Sequence, residues 1–513
     1  MYLFESRIVG LSIGFSVRSV VNSIFKPRAH AVTVLISTAL LSLLFSVDLL
    51  ADENQQNEAN NLISDTQRSN AEQLMKAALE SDLAYQIVES LTTEVGPRLA
   101  GSEAEQRARE WGEKLGKELK FDTVKVEPFK MRYWDRGELK ISLKTPYQQA
   151  LYGTALGGAG ASKRTIDAPV VYFRAIDDLK QVSAGDLKGK IAFVDGEILV
   201  KSQTGAGYSQ ANIKRRVGWQ HAERGGASAL VVRSVGSDSH RFPHTGMMSK
   251  KEDGKWANIP VIAISNPDAD HLRRLHRLGE PMTLSLSSSS AFKKGEVSSG
   301  NVVLDLIGSE KPEEIVLIGG HLDSWDLGTG AVDDGAGVAI TTAAAVLISQ
   351  LPKRPKRTIR VVMFGAEEVG LLGAIAYAKK HKDNLKNHVL ATESDFGAQT
   401  IWQLVSDVNP AANSFIDQIA KSIAPLGIVR GGSEVPGGGP DIIPLARAGV
   451  PTIRLNQNGM DYFDLHHTPD DTLDKIDPKE LAQNVAAYAA TIYLVADSEV
   501  DFRKPAKQAM DKK

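Results

Sequence analysis

The chain has 513 residues, 42% of them hydrophobic and 24% charged, with a formal net charge of −2. That length exceeds one typical domain, and the near-neutral balance argues against nucleic acid as a partner. There is no cysteine, which excludes disulfides, thiol nucleophiles and thiolate-ligated metals.

Lys26 and Arg28 precede an apolar run from Ala31 to Val47, and Ala51 then leads into an acidic, Asn- and Gln-rich stretch. A positive flank, a short apolar core and a polar exit predict an export signal over residues 1–51. An uncleaved membrane anchor and a cytosolic helix are the alternatives. No later segment reads as long and apolar enough to span a membrane. Residues 52–75 are polar and low in large apolar side chains, which predicts a linker. Helical patterns flank the turn "VGPRLAGS", the second opened by Ser102 with Glu105 three residues on, the spacing of an N-cap. "DTVKVEPFKMRYWDRGELKISL" alternates as strands do.

From about 150 to 290 the texture changes. "APVVYFR", "KIAFVDG", "ASALVVRS" and "IPVIAIS" are short apolar strands, with the helix "ANIKRRVGWQHAERGG" between the second and third. This predicts a small α/β unit inserted into the main domain. Within it, Pro243 argues against a helix that would place His240 and His244 on one face, so no metal is expected there. "RLHRLG" and "KRPKR" read as solvated charge.

After residue 300 strand, loop and helix repeat: "EEIVLIGG" before "GVAITTAAAVLISQL", "RTIRVVMFGAEE" before "GLLGAIAYAKKH", then "NHVLATESDFG", "PTIRLNQNG" and the closing helix "KELAQNVAAYAATIYLVADS". Such alternation predicts an α/β fold, a mostly parallel mixed sheet sandwiched by helices, with ligands beyond the carboxyl ends of the strands. There the first strand brings His321, Asp323, Asp333 and Asp334, the second Glu367 and Glu368, the third Glu393 and Asp395, and the fourth region His466, His467, Asp470 and Asp471. Imidazole and carboxylate without sulfur suit zinc. Two zinc ions need a shared carboxylate and further ligands each, and a separate acid must move the proton. Neighbouring aspartates would orient the histidines. Taken singly, each motif is an ordinary turn, cap or solvated pair; joint occurrence at successive strand ends makes the metal site. Asp326 and Trp325 read equally as pocket lining or loop, and Glu393 and His466 as packing or supporting groups.

In "HLDS…GAVDDGAG", "GAEEVGLLG", "ESDFG" and "HHTPDDT", in order and spacing, the chain resembles the M28 family of di-zinc exopeptidases. "VGPRLAGS", "HTGMM" and "GGSEVPGGGPDIIPLARAGVPTIRL" look most like its carboxypeptidase Q branch, and the inserted unit resembles a protease-associated domain. The resemblance implies a zinc exopeptidase fold and two Zn2+ per chain. It makes His321 and Asp395 ligands of one metal, Glu368 and His467 ligands of the other, and Asp333 the bridge. Glu367 becomes the general base acting on a water held between the metals. Asp323 becomes the acid that orients His321, and Asp334 a supporting residue joined to Asp333 by a cis peptide. The catalytic domain then comprises residues 76–148 and 291–500, the insert 149–290, and 501–513 a polar tail. A peptide substrate, a homodimer and an exported, periplasmic or secreted location are implied, with membrane attachment only through an uncleaved leader. The expected activity is hydrolysis of short peptides or dipeptides. A broader aminopeptidase, a non-catalytic binding protein and a one-metal cyclase or deacylase on the same fold are the alternatives.

Overall fold

The computed structural model describes residues 61–432 and 438–504. The export signal expected over 1–51, the polar stretch to residue 60, residues 433–437 and the tail beyond 504 lie outside the described residues. Ser64 opens α1 (Asp65–Leu79) with a full capping box to Gln67, so the linker expected to residue 75 gives way to a helix. Ala71, Leu74, Met75 and Ala78 are its buried residues. They recur at helical spacing, a stripe hidden by the segment's mean polarity, and each large one contributes about 2 kcal/mol on burial. Then come α2 (Leu83–Ser90) and α3 (Glu103–Glu118), where the Ser102 side chain accepts from the Glu105 N–H as the sequence predicts.

β1 (Thr123–Met131) edges the first sheet. The chain next builds a smaller lobe on β2 (Leu139–Thr145), β3 (Gly153–Ala155), β4 (Ile166–Phe173), β5 (Ile191–Val194), α4 (Ile213–Arg224), β6 (Ala229–Arg233), β7 (Val261–Ile264), α5 (Asn266–Arg277) and β8 (Thr283–Ser288). The order in this second sheet is β2-β8-β4-β5-β6-β7-β3, with the short strand Gln149–Ala150 outside β2. β4 to β7 run parallel, and every side chain of β5, β6 and β7 is buried, which explains their unbroken apolar runs. The second sheet thus begins at residue 139, ahead of the composition change read at 149. Alternating burial in β2 and β8 suits a strand of either sheet, so the sequence pattern does not choose between them.

The first sheet resumes with β9 (Val297–Leu306), β10 (Lys311–His321), α6 (Ala336–Ser349), β11 (Arg357–Phe364), α7 (Leu372–Lys380), β12 (His388–Glu393), β13 (Ile401–Asp407), α8 (Asn413–Ile423), β14 (Val429–Arg430), β15 (Thr452–Gln457) and α9 (Pro478–Ala496). Its order is β1-β9-β11-β10-β12-β15-β13-β14. The centre is parallel, and β1, β9 and β13 run antiparallel to neighbours, a mixed sheet as expected. α6 is buried almost throughout, and α9 from Leu481 onward. The segment Ala331–Ser349 has the length and hydropathy of a membrane span, against expectation, but it lies wholly inside the fold. α1 packs on α9. Phe502 is fully buried and meets Phe415 edge-on, so the tail read from 501 begins as docked core.

Register places the chemistry. β10 lies between β11 and β12, with His321 paired to Phe364 and Gly319 to Glu393. The residues that follow all three strands therefore leave the sheet at one edge, where parallel sheets bind ligands.

Candidate metal centre

At that edge Asp333 stands between two histidine–carboxylate pairs. Its Oδ1 lies 3.0 Å from His321 Nε2, and its Oδ2 lies 3.4 Å from His467 Nε2. His321 Nε2 is also 3.7 Å from Asp395 Oδ1, and His467 Nε2 is 3.1 Å from Glu368 Oε2. Donor atoms of His321, Asp333 and Glu368 lie within 4.8 Å of one another, as do those of His321, Asp334 and Asp395 and those of Asp333, His466 and His467. The five expected ligands thus come together from four strand ends.

Each histidine is oriented by a backbone carbonyl. His321 Nδ1 lies 2.8 Å from the Asp323 carbonyl and His467 Nδ1 lies 3.2 Å from the Thr245 carbonyl. A proton on Nδ1 leaves each Nε2 with its lone pair toward the acids, the tautomer a metal needs. The Asp323 carboxylate does something other than the expected orienting of His321. It is 3.9 Å from that ring but accepts the backbone N–H groups of Glu367 at 3.0 Å and Glu368 at 3.3 Å. Those amides follow the end of β11 with no strand partner, and a buried acceptor satisfies them.

Asp334, joined to Asp333 by a cis peptide, accepts from the His321 N–H and the Gly337 N–H, each at 3.0 Å. A side chain on Gly337 would put its Cβ 1.9 Å from the Ser394 carbonyl, so only glycine lets α6 approach here. Asp471, one of the aspartates close behind the histidines, serves the backbone. Its carboxylate accepts from the backbone of Val332 at 2.6 Å and Asp333 at 3.3 Å. Burial pushes it up to about 7. Asp470 pairs with Lys475 at 3.1 Å.

Several contributors escaped the sequence reading. Arg98, fully buried, donates to the carbonyls of Leu322 at 2.5 Å, Thr329 at 2.5 Å and Gly330 at 2.8 Å. It thereby ties down the loop that carries the aspartates. Arg215 and Thr245 come from the smaller lobe; Arg215 shares the Thr245 carbonyl at 2.9 Å. Arg98 stands in a quoted motif, but nothing local marks Arg215. Asp326 takes an ion pair from Arg136, whose Nε is 2.8 Å away, and Trp325 packs near His467. Glu393 accepts from the Asp441 N–H at 2.8 Å and is outside the donor groups. His466 stacks on His467 with ring centroids 3.5 Å apart, its Nε2 3.7 Å from Asp333. Exposed His240 and buried His244 join no donor group among the described residues.

Burial, with repulsion from Asp395 and Asp323 at Glu367 and from Asp333 and Glu367 at Glu368, pushes both glutamates well above the usual carboxylate range. Burial opposes charge on His321, yet contacts with Asp333 and Asp395 hold it well above its usual value. Burial, with His466 next, pushes His467 well below. Asp333 Oδ2 and Glu368 Oε1 are buried with no hydrogen-bond partner. Acids gathered out of water are costly as anions, and a divalent cation reverses that cost. The donor set, nitrogen and carboxylate oxygen without sulfur, fits zinc. The site opens into a cleft of about 880 Å³ whose walls include Tyr208, Met247, Trp256, Phe292 and Arg454.

A mixed sheet with an imidazole–carboxylate centre beneath such a cleft defines a metal-dependent hydrolase class. The profile of Peptidase family M28 matches residues 301–492. Human carboxypeptidase Q is 34% identical over 417 residues, covering 81% of this chain and 86% of that protein. Aminopeptidase YwaD of Bacillus subtilis (strain 168) is 26% identical over 438 residues, covering 81% and 85%. A crystal structure of a peptidase M28 precursor from Shewanella amazonensis SB2B superposes with a TM-score of 0.83 at 47% identity, covering 86% of this chain and 98% of that one. The chain belongs to peptidase family M28.

Proposed function

We propose that the chain is a zinc-dependent exopeptidase that hydrolyses short peptides with two Zn2+ held at this centre. The observation that carries the reading is Asp333, whose two oxygens face two separate histidine–carboxylate pairs. His321 and Asp395 would hold one ion, Glu368 and His467 the other, and Asp333 both. Zinc so bound lowers the pKa of water and polarises a carbonyl. Glu367 takes the proton from the attacking water and delivers it to the leaving amine as the C–N bond breaks. Its side chain lines the cleft with Asp333, Glu368 and Asp395, and Asp323 fixes its backbone.

The cleft also favours one end of the substrate. Arg132, Arg216, Lys250 and Arg454 line it, and among the described residues the carboxylates in its lining are Asp333, Glu367, Glu368 and Asp395 of the centre itself. Arg216 donates to Ser249 Oγ at 3.2 Å and Arg454 lies over the Phe396 ring. Such a rim attracts a substrate carboxylate, which favours a dipeptidase or carboxypeptidase, in keeping with the carboxypeptidase Q relatives. An aminopeptidase on the same centre is the second reading, kept by the YwaD relative. The smaller lobe would be the protease-associated-like insert, and the basic flank and apolar run of the leader favour export.

A substrate panel tests this: dipeptides with a free or amidated C-terminus, N-blocked peptides and amino-acid anilides, each with and without chelator. Chelator-sensitive cleavage of free dipeptides with weak cleavage of the amides is expected. Efficient cleavage of anilides and amides would favour the aminopeptidase, and no cleavage by zinc-loaded protein would leave a binding protein.

A further inference from the structure

The histidine side of the centre is held by the smaller lobe. His467 has a left-handed backbone, φ 64°, which is unfavourable for a side chain with a Cβ and persists where surroundings enforce it. The enforcing contacts come from His244 and Thr245, in the loop after β6. His244 Nδ1 lies 2.7 Å from the His466 carbonyl, and the Thr245 N–H donates to the His467 carbonyl at 3.0 Å. The Thr245 carbonyl faces His467 Nδ1. Two successive residues of one lobe thus clasp two successive residues of the other.

The clasp is itself backed. His244 Nε2 lies 2.6 Å from Asp238 Oδ1, and the His244 backbone N–H donates to Ser234 Oγ at 2.8 Å. Asn266 donates to Asp238 Oδ1 at 3.3 Å and to the Asp238 carbonyl at 3.2 Å. His244 and Asp238 are 1% and 4% exposed, so water does not compete for these bonds. A Cβ on Gly236 would lie 2.1 Å from His244 Nε2; the loop is shaped to admit the ring.

We propose that Asp238 and His244 are positioning residues, which hold the His466–His467 turn so that His467 Nε2 faces Glu368 and Asp333, and thereby set how tightly the second metal is retained. The inference rests on the metal reading of His467. It makes the smaller lobe part of the metal centre rather than an attached module, since the bonds that orient this ligand cross from one sheet to the other. Neither residue lines the cleft or joins a donor group among the described residues; both act through the turn.

The test uses full-length, zinc-loaded protein carrying Asp238→Asn, His244→Ala or Gly236→Ala, the last of which displaces the ring without removing it. Zinc content, the rate of zinc loss to a chelator, the visible spectrum of the cobalt-substituted protein, kcat and KM are measured beside circular dichroism and melting. Folded variants are expected to lose one zinc about tenfold or more faster than wild type, the usual reach of groups that orient a ligand. The cobalt bands should shift, and kcat should fall while KM stays within about twofold. A folded variant with wild-type zinc loss and unchanged cobalt bands overturns the proposal. Failure of all three to fold assigns the pair to stability alone and overturns it as well. Wild-type protein that holds no zinc sinks the metal reading instead, so the two failures are distinct.

Discussion

Asp323 holds Glu367 by its backbone: the Asp323 carboxylate accepts the Glu367 N–H at 3.0 Å. The Glu368 N–H reaches the other oxygen of the same group, so one buried acid fixes both adjacent glutamates, the proposed base and the proposed ligand. Asp323→Ala removes both bonds to a charged acceptor, each worth about 1.5–3 kcal/mol. kcat/KM is expected to fall roughly 10- to 100-fold, mostly in kcat, as the two side chains lose their aim. Steady-state kinetics on a free dipeptide, with zinc content measured alongside, checks this.

Glu367→Gln keeps the side chain's shape and removes its capacity to take a proton. A fall in kcat of about 10²- to 10⁴-fold is expected, with zinc content and KM close to wild type. His467→Ala should differ in kind by losing zinc as well as rate. Metal analysis of the two purified variants separates proton transfer from ligation.

Arg98 serves carbonyls rather than an acid. Its guanidinium is buried and spans Leu322, Thr329 and Gly330. Arg98→Ala leaves those acceptors without a partner and is expected to cost roughly 3 kcal/mol, read as a lower denaturant midpoint. Arg98→Lys should recover less than half of the loss, because an ammonium cannot span the fork.

His388 makes stability depend on pH. Its Nε2 lies 2.9 Å from the Tyr377 hydroxyl, and burial, with Arg360 next, pushes it down to about 4 from 6.5. Between those values the unfolded chain binds a proton that the folded chain does not, so stability falls as pH drops from about 6.5 toward about 4. The contribution is present in full above that window, lost below it, and worth about 3 kcal/mol at most. Urea midpoints measured across it should fall more steeply for wild type than for His388→Asn.

Much of the centre was legible because its donors sit in compact motifs that follow apolar strands. His321, Asp333, Glu368, Asp395 and His467 need only the strand order to meet. What escaped depends on the other lobe or on a partner distant in sequence. α1 was hidden because its apolar stripe of two alanines, a leucine and a methionine lies within a polar segment. β2 was given to the first sheet because alternation marks a strand and not the sheet it joins. Asp323 was paired with the nearest histidine, whereas its carboxylate points across to the end of β11. Arg98, Arg215 and Thr245 act through carbonyls and close approach, which leave no pattern in sequence. Asp326, without a role from sequence, is taken up by Arg136.

Zinc titration against activity tests the central claim most directly. Protein stripped of metal is returned zinc in steps, and dipeptide hydrolysis is followed together with bound zinc. Negligible hydrolysis without metal is expected, with activity rising to a plateau at two equivalents per chain and Asp333→Asn failing to reach it. Hydrolysis that persists in metal-free protein, or a plateau at one equivalent left unchanged by Glu368→Ala and His467→Ala, would contradict a shared two-metal centre on Asp333.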